Sequence, residues 1–181
     1  MKRIAAFAFG ILVASIGAFA QSPDIDTPLL ALAPNLREGA GVVKWKTADH
    51  TYDTLKKSTN GLVCYDRSGF PLQQPFSLEC TDQRNLPRVK QNLDAEALGD
   101  RMKSEAQLMD LEKSGKREKP VFGSVWYHLM GMSKEMARTH MTIAVPGATQ
   151  ATMGLPENGR GGGVWIMSAG TTTAHLMTPG E

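Results

Sequence analysis

The two cysteines, Cys64 and Cys80, are the sequence feature that most constrains the fold of this chain. Fifteen residues lie between them, and the sequence contains no other cysteine. In an oxidising compartment such a pair is expected to form a disulfide, and closing a loop of this size stabilises a fold by about 3 kcal/mol in the chain-entropy model. A pair of thiol metal ligands is the alternative, but no C-x-x-C spacing supports it. We therefore predict a disulfide that fastens a long connection to a sheet.

The first twenty residues predict export, and hence an oxidising destination. They begin with Lys2 and Arg3, continue as an uncharged apolar run, and end with Ala18-Phe19-Ala20, the pattern of a secretory signal peptide with a small-x-small cleavage site. A transmembrane anchor is the competing interpretation, but the apolar run is short for a bilayer span. We expect residues 1–20 to be removed, leaving residues 21–181 as a single periplasmic or secreted globular domain without a transmembrane anchor.

The charge balance argues against a nucleic-acid partner. The chain has 20 basic and 18 acidic residues, and removal of Lys2 and Arg3 would leave 18 of each. A neutral domain lacks the positive potential that attracts nucleic acids or anionic membranes. The basic run KREK, residues 116–119, is short, and we interpret it as a solvated connector. The sequence identifies no other partner.

Short stretches of β-branched and aromatic residues predict a sheet. They are VVKWK, HTYDTLKK, GLVCYD, FSLEC, VFGSVWYHLM, THMTIAV, VWIM and TAHLM. Residues 58–61, with the sequence STNG, are predicted to be a turn between antiparallel strands. VWIM and TAHLM are predicted to form the last hairpin, and residues 148–156 a short helix. Residues 21–37 are expected to follow the edge of the domain or to stay loose.

One long helix is predicted over residues 92–114. Leu98, Met102, Ala106 and Met109 recur there at three- and four-residue steps, which is typical of an amphipathic helix with this face on the core. The predicted fold class is therefore α+β, with a mostly antiparallel sheet of short strands and one main amphipathic helix packed on it.

Histidine and methionine are concentrated in the last third of the chain. Seven of the ten methionines and three of the four histidines lie between His128 and Met177. Thioether and imidazole groups suit Cu(I), and residues two apart in a strand share a face, so that His175 and Met177 can reach one point. His128 and Met130 can do the same, whereas His140 and Met141 point to opposite faces. The alternative is that these side chains only fill the core.

The spacing of these residues resembles the motif of secreted bacterial copper chaperones with a cupredoxin-like fold. The similarity covers the last quarter of the chain, from His140-Met141 through Met153 to His175 and Met177. It implies a Cu(I) site formed by His140 or Met141, Met153, His175 and Met177.

A second resemblance extends over most of the chain after residue 20. The segments LREGAGVV, STNGLVC, THMTIAVP, GGGVWIM and AGTTTAHLMTP are similar to a family of uncharacterised small secreted bacterial proteins. This resemblance implies a shared domain but no activity.

No enzyme class is favoured by the sequence. It contains no H-E-x-x-H, no G-x-S-x-G and no G-x-x-x-x-G-K-[ST], the motifs of zinc proteases, α/β-hydrolases and P-loop enzymes. The leading hypothesis is an exported, non-enzymatic binding or structural domain, with no cofactor and no catalytic residue assigned. The alternatives are a periplasmic Cu(I)-binding protein that uses the His/Met cluster, and a small secreted enzyme whose site has no recognised motif.

Overall fold

Eight strands form one sheet in the computed structural model, which describes residues 22–178. The strands are β1 (Gly41–Trp45), β2 (Tyr52–Lys56), β3 (Leu62–Asp66), β4 (Phe76–Asp82), β5 (Val125–Gly131), β6 (Arg138–Ala144), β7 (Trp165–Met167) and β8 (His175–Met177). Their order across the sheet is β2-β1-β3-β4-β5-β6-β8-β7. Every neighbouring pair is antiparallel except β1 and β3, which are parallel. The predicted α+β fold with a mostly antiparallel sheet is confirmed. The predicted signal peptide lies outside the described residues.

Five α-helices and three short 3₁₀ segments complete the described chain. The helices are α1 (Pro23–Asp26), α2 (Pro34–Arg37), α3 (Leu86–Glu96), α4 (Arg101–Lys113) and α5 (Gln150–Met153). The 3₁₀ segments are Pro28–Ala31, Gln83–Asn85 and Gly159–Gly161. Within residues 22–178, no helix has the length and apolar character needed to cross a membrane.

The single helix predicted over residues 92–114 is divided into α3 and α4. Gly99 has φ +66°, a left-handed conformation that ends helices and that glycine adopts without strain. Asp100 then caps α4, since its side chain accepts a hydrogen bond from the backbone N–H of Lys103 at 3.0 Å. The main amphipathic helix packed on the sheet is α3, which buries Val89 and Leu93.

The apolar stripe predicted on the second half of that helix does not face the sheet. Met102 and Met109 are 81% and 56% exposed, and Ser104 is the buried residue of α4. The break at Gly99 lets α4 turn back against α3. Apolar residues on the two sides of the break therefore do not form one continuous face towards the core. The predicted face was wrong, although helical structure is present on both sides of the break.

The predicted pairing around residues 58–61 was also wrong. β2 and β3 are not neighbours, because β1 lies between them and pairs with both. The carbonyl of Gly39, just before β1, accepts hydrogen bonds from the backbone N–H groups of Thr59 and Asn60 at 2.7 and 3.2 Å. The Asn60 side-chain amide also donates to the carbonyl of Leu36 at 2.9 Å. The turn therefore crosses the start of β1, so that β3 lies on the side of β1 opposite to β2.

Cys64 and Cys80 are paired as predicted, and they join adjacent strands. Cys64 in β3 is directly opposite Cys80 in β4, with their Cα atoms 4.0 Å apart and their sulfur atoms at the disulfide distance of 2.07 Å. Both side chains are fully buried. The disulfide therefore closes the connection formed by residues 67–75 and also holds β3 and β4 in register.

Each face of the sheet has its own cover. On one face, Val43, Tyr65 and Trp126 pack with α3. On the other face, residues 29–32 pack over Val42 and Leu78. The segment expected to follow the domain edge is therefore a layer of the core. This arrangement buries the centre of the sheet on both sides. The part of the sheet formed by β5, β6 and β8 lies beside the helical layer and carries the histidines.

Candidate functional site

Three histidines lie on the face of the sheet that α3 covers. His128 in β5 is paired with His140 in β6, and the centroids of their rings are 5.9 Å apart. His175 in β8 is paired with Ala144, which lies four positions after His140 and therefore on the same face. The strand register thus brings imidazoles from three strands to one side of the sheet.

A cavity of about 410 Å³ separates these histidines from the helical layer. Its strand wall carries the three imidazoles together with Trp126, Met130 and Thr142. Its helical wall carries Arg88, Asn92, Glu96 and Leu108, and Arg117 enters from the segment after α4. Arg88, Asn92 and Glu96 recur at four-residue steps in α3, which places them on one helical face. The volume lies within the range of roughly 300–1,000 Å³ found for small-molecule pockets.

Two other depressions lack this convergence of functional groups. A groove of about 440 Å³ beside β1 and β2 is lined by Lys56 and Lys57. A larger, more open depression of about 650 Å³ follows α4 past Leu98 and Leu111. Neither these nor two further depressions, beside Trp45 and beside Leu30, are lined by a histidine or by a buried charged group, so the histidine cavity is the candidate site.

A buried carboxylate lies beside His128 on the neighbouring strand. Glu79 in β4 is 2% exposed and its Oε2 lies 3.4 Å from Nδ1 of His128. The same oxygen accepts a hydrogen bond from Nη1 of Arg67 at 2.8 Å, and the hydroxyl of Tyr65 donates to Oε1. Burial alone would raise the pKa of Glu79, but the charge of Arg67 and the hydrogen bonds from His128 and Tyr65 hold it well below its usual value. Glu79 is therefore ionised and places a negative charge beside the His128 ring.

The buried charges continue from this carboxylate to the cavity wall. Arg67 also donates to Oε2 of Glu96 in α3, and Gln73 donates to the same oxygen at 3.0 Å. Burial opposes the charge of Arg67, but Glu79 and Glu96 together raise its pKa. Arg67 and Glu79 are thus both charged, and the network ties α3 to the sheet at the edge of the cavity.

The surroundings of His140 shift its pKa. Partial burial and the charges of His128 and His175 lower its pKa below the ordinary value for histidine. Its ring is consequently neutral at neutral pH and can accept a hydrogen bond or bind a metal ion through a ring nitrogen. His140 therefore adds a hydrogen-bond acceptor to the cavity wall.

No protein-family model, curated protein or solved structure matches this chain. Its function therefore has to be argued from the cavity itself.

The cavity contains part of the predicted copper site. His140 and His175 both line it, beside His128 and Met130. Met177 follows His175 by two residues on the same face of β8, outside the lining. Met153 lies in α5 and Met141 projects from the opposite face of β6, both outside the lining. Among the described residues, no three His, Cys, Asp or Glu side chains are grouped so that they could hold a metal ion.

The two cavity arginines were not predicted from the sequence. Arg117 belongs to the basic run KREK, which we expected to be solvated, yet it is 6% exposed because its guanidinium bonds to Gln91 and Asn92 of α3. Arg88 is 5% exposed. If the predicted helix had begun at Leu86, positions 88, 92 and 96 would have been recognised as one polar face. No local sequence signal indicates that Arg117 is buried.

The lining combines two kinds of chemistry. Guanidinium groups donate paired hydrogen bonds to carboxylates and phosphates, and an imidazole held by a carboxylate is placed to accept or donate a proton. Trp126, Leu108 and Met130 add an apolar surface. Such a lining suits a small organic molecule with a polar end.

Proposed function

We propose that this protein is an exported, non-enzymatic binding domain that holds a small organic molecule in the histidine cavity. The observation that carries the proposal is the convergence of imidazoles from three strands and of two buried arginines from the helical layer on one cavity of ligand size. The cavity is open to solvent, and His140 in its wall is exposed, so a ligand can reach these groups. The predicted export and the missing catalytic motifs support binding rather than turnover.

Filling the cavity from its floor tests this proposal. Thr142 projects into the cavity opposite Trp126, so Thr142→Phe should obstruct it. We expect a subset of a library of aromatic fragments, among them benzoate, phenyl phosphate and benzamide, to bind the wild-type protein in ligand-observed NMR. The affinity of those fragments should fall at least about tenfold in Thr142→Phe, which corresponds to about 1.4 kcal/mol.

Thr139→Phe is the matched control. Thr139 lies three positions earlier in β6, is exposed, and projects from the opposite face, so the same substitution there should leave fragment binding within about twofold of wild type. A protein that binds none of the fragments, or one whose binding survives Thr142→Phe, does not use this cavity.

Cu(I) binding is a second candidate, favoured by the paired His128 and His140 and by the Met130 thioether, which line the same cavity. It predicts a near-equimolar Cu(I) complex under reducing conditions, with a raised thermal midpoint. Affinity should fall in His175→Ala and Met177→Ala, as the sequence spacing implies, and also in His140→Ala. His50→Ala is the control, because His50 lies away from the cavity and bonds to Asp94. An unchanged thermal midpoint with Cu(I) rules this candidate out.

A further inference from the structure

The two cavity arginines are buried without an ion-pair partner. Arg88 and Arg117 are 5% and 6% exposed, and within residues 22–178 no carboxylate lies within ion-pair distance of either guanidinium. Arg67 is equally buried, yet it is held between Glu79 and Glu96. Buried charges are normally paired, because taking an unpaired charge out of water is costly.

Neutral acceptors hold the guanidinium of Arg88 in place. It donates to the carbonyl of Glu118, to Oγ1 of Thr172 at 3.2 Å and to Oγ1 of Thr173 at 2.8 Å. These hydrogen bonds connect α3 to the segment after α4 and to the segment before β8. They orient the group without neutralising it.

Arg117 is held in the same way. Its guanidinium donates to Oε1 of Gln91 at 3.0 Å and to Oδ1 of Asn92. A guanidinium has five N–H donors in a fixed plane, so both arginines retain donors beyond these contacts. Fixed, charged donors at a cavity wall match the geometry of an oxyanion.

The surrounding charges do not complete the pairing. Burial and the nearby charge of Arg117 lower the pKa of Arg88 to about 10. Glu112 attracts both arginines through space, but its carboxylate oxygens accept hydrogen bonds from Thr172. Glu96, the acidic residue of the lining, is shared with Arg67. A negative group bound between the guanidinium groups would relieve their burial and their mutual repulsion.

From this placement we infer that the ligand is a small organic anion, with its carboxylate or phosphate group held by Arg88 and Arg117 and its apolar body against Trp126 and Leu108. The inference rests on the proposed binding function and narrows it to one ligand class. The histidine wall completes the pocket without adding a negative charge.

Matched acids and amides test the inference on the intact protein. We expect benzoate or phenyl phosphate to bind at neutral pH at least about tenfold more tightly than benzamide, which has a similar size but no charge. Tighter binding of benzoate assigns a carboxylate, and tighter binding of phenyl phosphate assigns a phosphate. Inorganic phosphate should compete with either anion.

Charge-removing variants then locate the anion. Arg117→Gln should lower anion affinity about tenfold and leave benzamide affinity unchanged. Arg84→Gln is the matched control, because Arg84 is exposed and paired with Asp82, and it should change neither. If Arg117→Gln does not fold, the acid–amide comparison on the wild-type protein decides the question.

The two proposals fail differently. Equal binding of acid and amide, or an equal loss of both in Arg117→Gln, overturns the anion inference and leaves the binding function standing. Absence of binding by every probe overturns both.

Discussion

Replacing Arg67 with methionine is expected to lower the free energy of unfolding by about 3–5 kcal/mol at neutral pH, because removal of one partner leaves a buried charge uncompensated. Arg67 donates to Glu79 and to Glu96, and Glu79 has almost no contact with water. Methionine keeps much of the unbranched aliphatic part of the arginine side chain, so that the loss in free energy of unfolding reflects mainly the missing charge. Urea-induced unfolding of the two proteins measures it.

The pH dependence should separate this effect from lost packing. In the wild-type protein the folded pKa of Glu79 is depressed, so its ionised form stabilises the fold above the usual carboxyl pKa, and that contribution is lost as the pH falls towards the folded pKa. Without Arg67, burial raises the folded pKa of Glu79 instead. The Arg67→Met variant should therefore regain stability on mild acidification, while the wild-type protein does not.

Two further variants control for this prediction. Lys44→Met removes an exposed ion pair with Asp24, in which both side chains are 62% exposed, and it should cost no more than about 1 kcal/mol. Adding Glu79→Gln to Arg67→Met should restore part of the stability, because the stranded charge is then gone. A loss below that of Lys44→Met, or parallel pH profiles for variant and wild type, would show that the network is not a stabilising ion pair.

The sequence predicts the local elements of this fold better than their arrangement. The alternation in VVKWK or THMTIAV is local, and β1 and β6 are found there. The insertion of β1 between β2 and β3 is not local, because it depends on hydrogen bonds between Gly39 and residues about twenty positions later. A turn sequence such as STNG predicts that the chain reverses direction, but it does not predict which strand the next strand pairs with.

The same limit applies to the candidate site. Strand parity correctly separates His140 from Met141 and puts His175 and Met177 on one face, because the two-residue period is a property of any strand. The parity of β5 and β6 does not reveal that His128 and His140 are paired, which follows from their register. Arg117 was missed because an arginine after a helix is usually solvated, and its burial depends on acceptors in α3.

Removing both cysteines is the second large effect we expect. Cys64→Ala/Cys80→Ala should lower the free energy of unfolding by about 3 kcal/mol, because the unfolded chain regains the freedom of the loop that the two residues close. Both side chains are fully buried beside Leu78, so the lost sulfur atoms add a packing cost. Unfolding in urea, with and without a reductant, gives the comparison.

The slope of the unfolding transition shows where the stabilisation acts. If the cross-link compacts the unfolded chain, its removal exposes more surface on unfolding and the m-value should rise. Reductant should shift the wild-type midpoint towards that of the double variant and leave the variant unchanged, and the denatured wild-type protein should show no titratable thiol without it. A wild-type midpoint that does not respond to reductant would mean that the β3–β4 pair is held by its ladder and packing alone. The signal-peptide pattern of residues 1–20 would then be the remaining support for export.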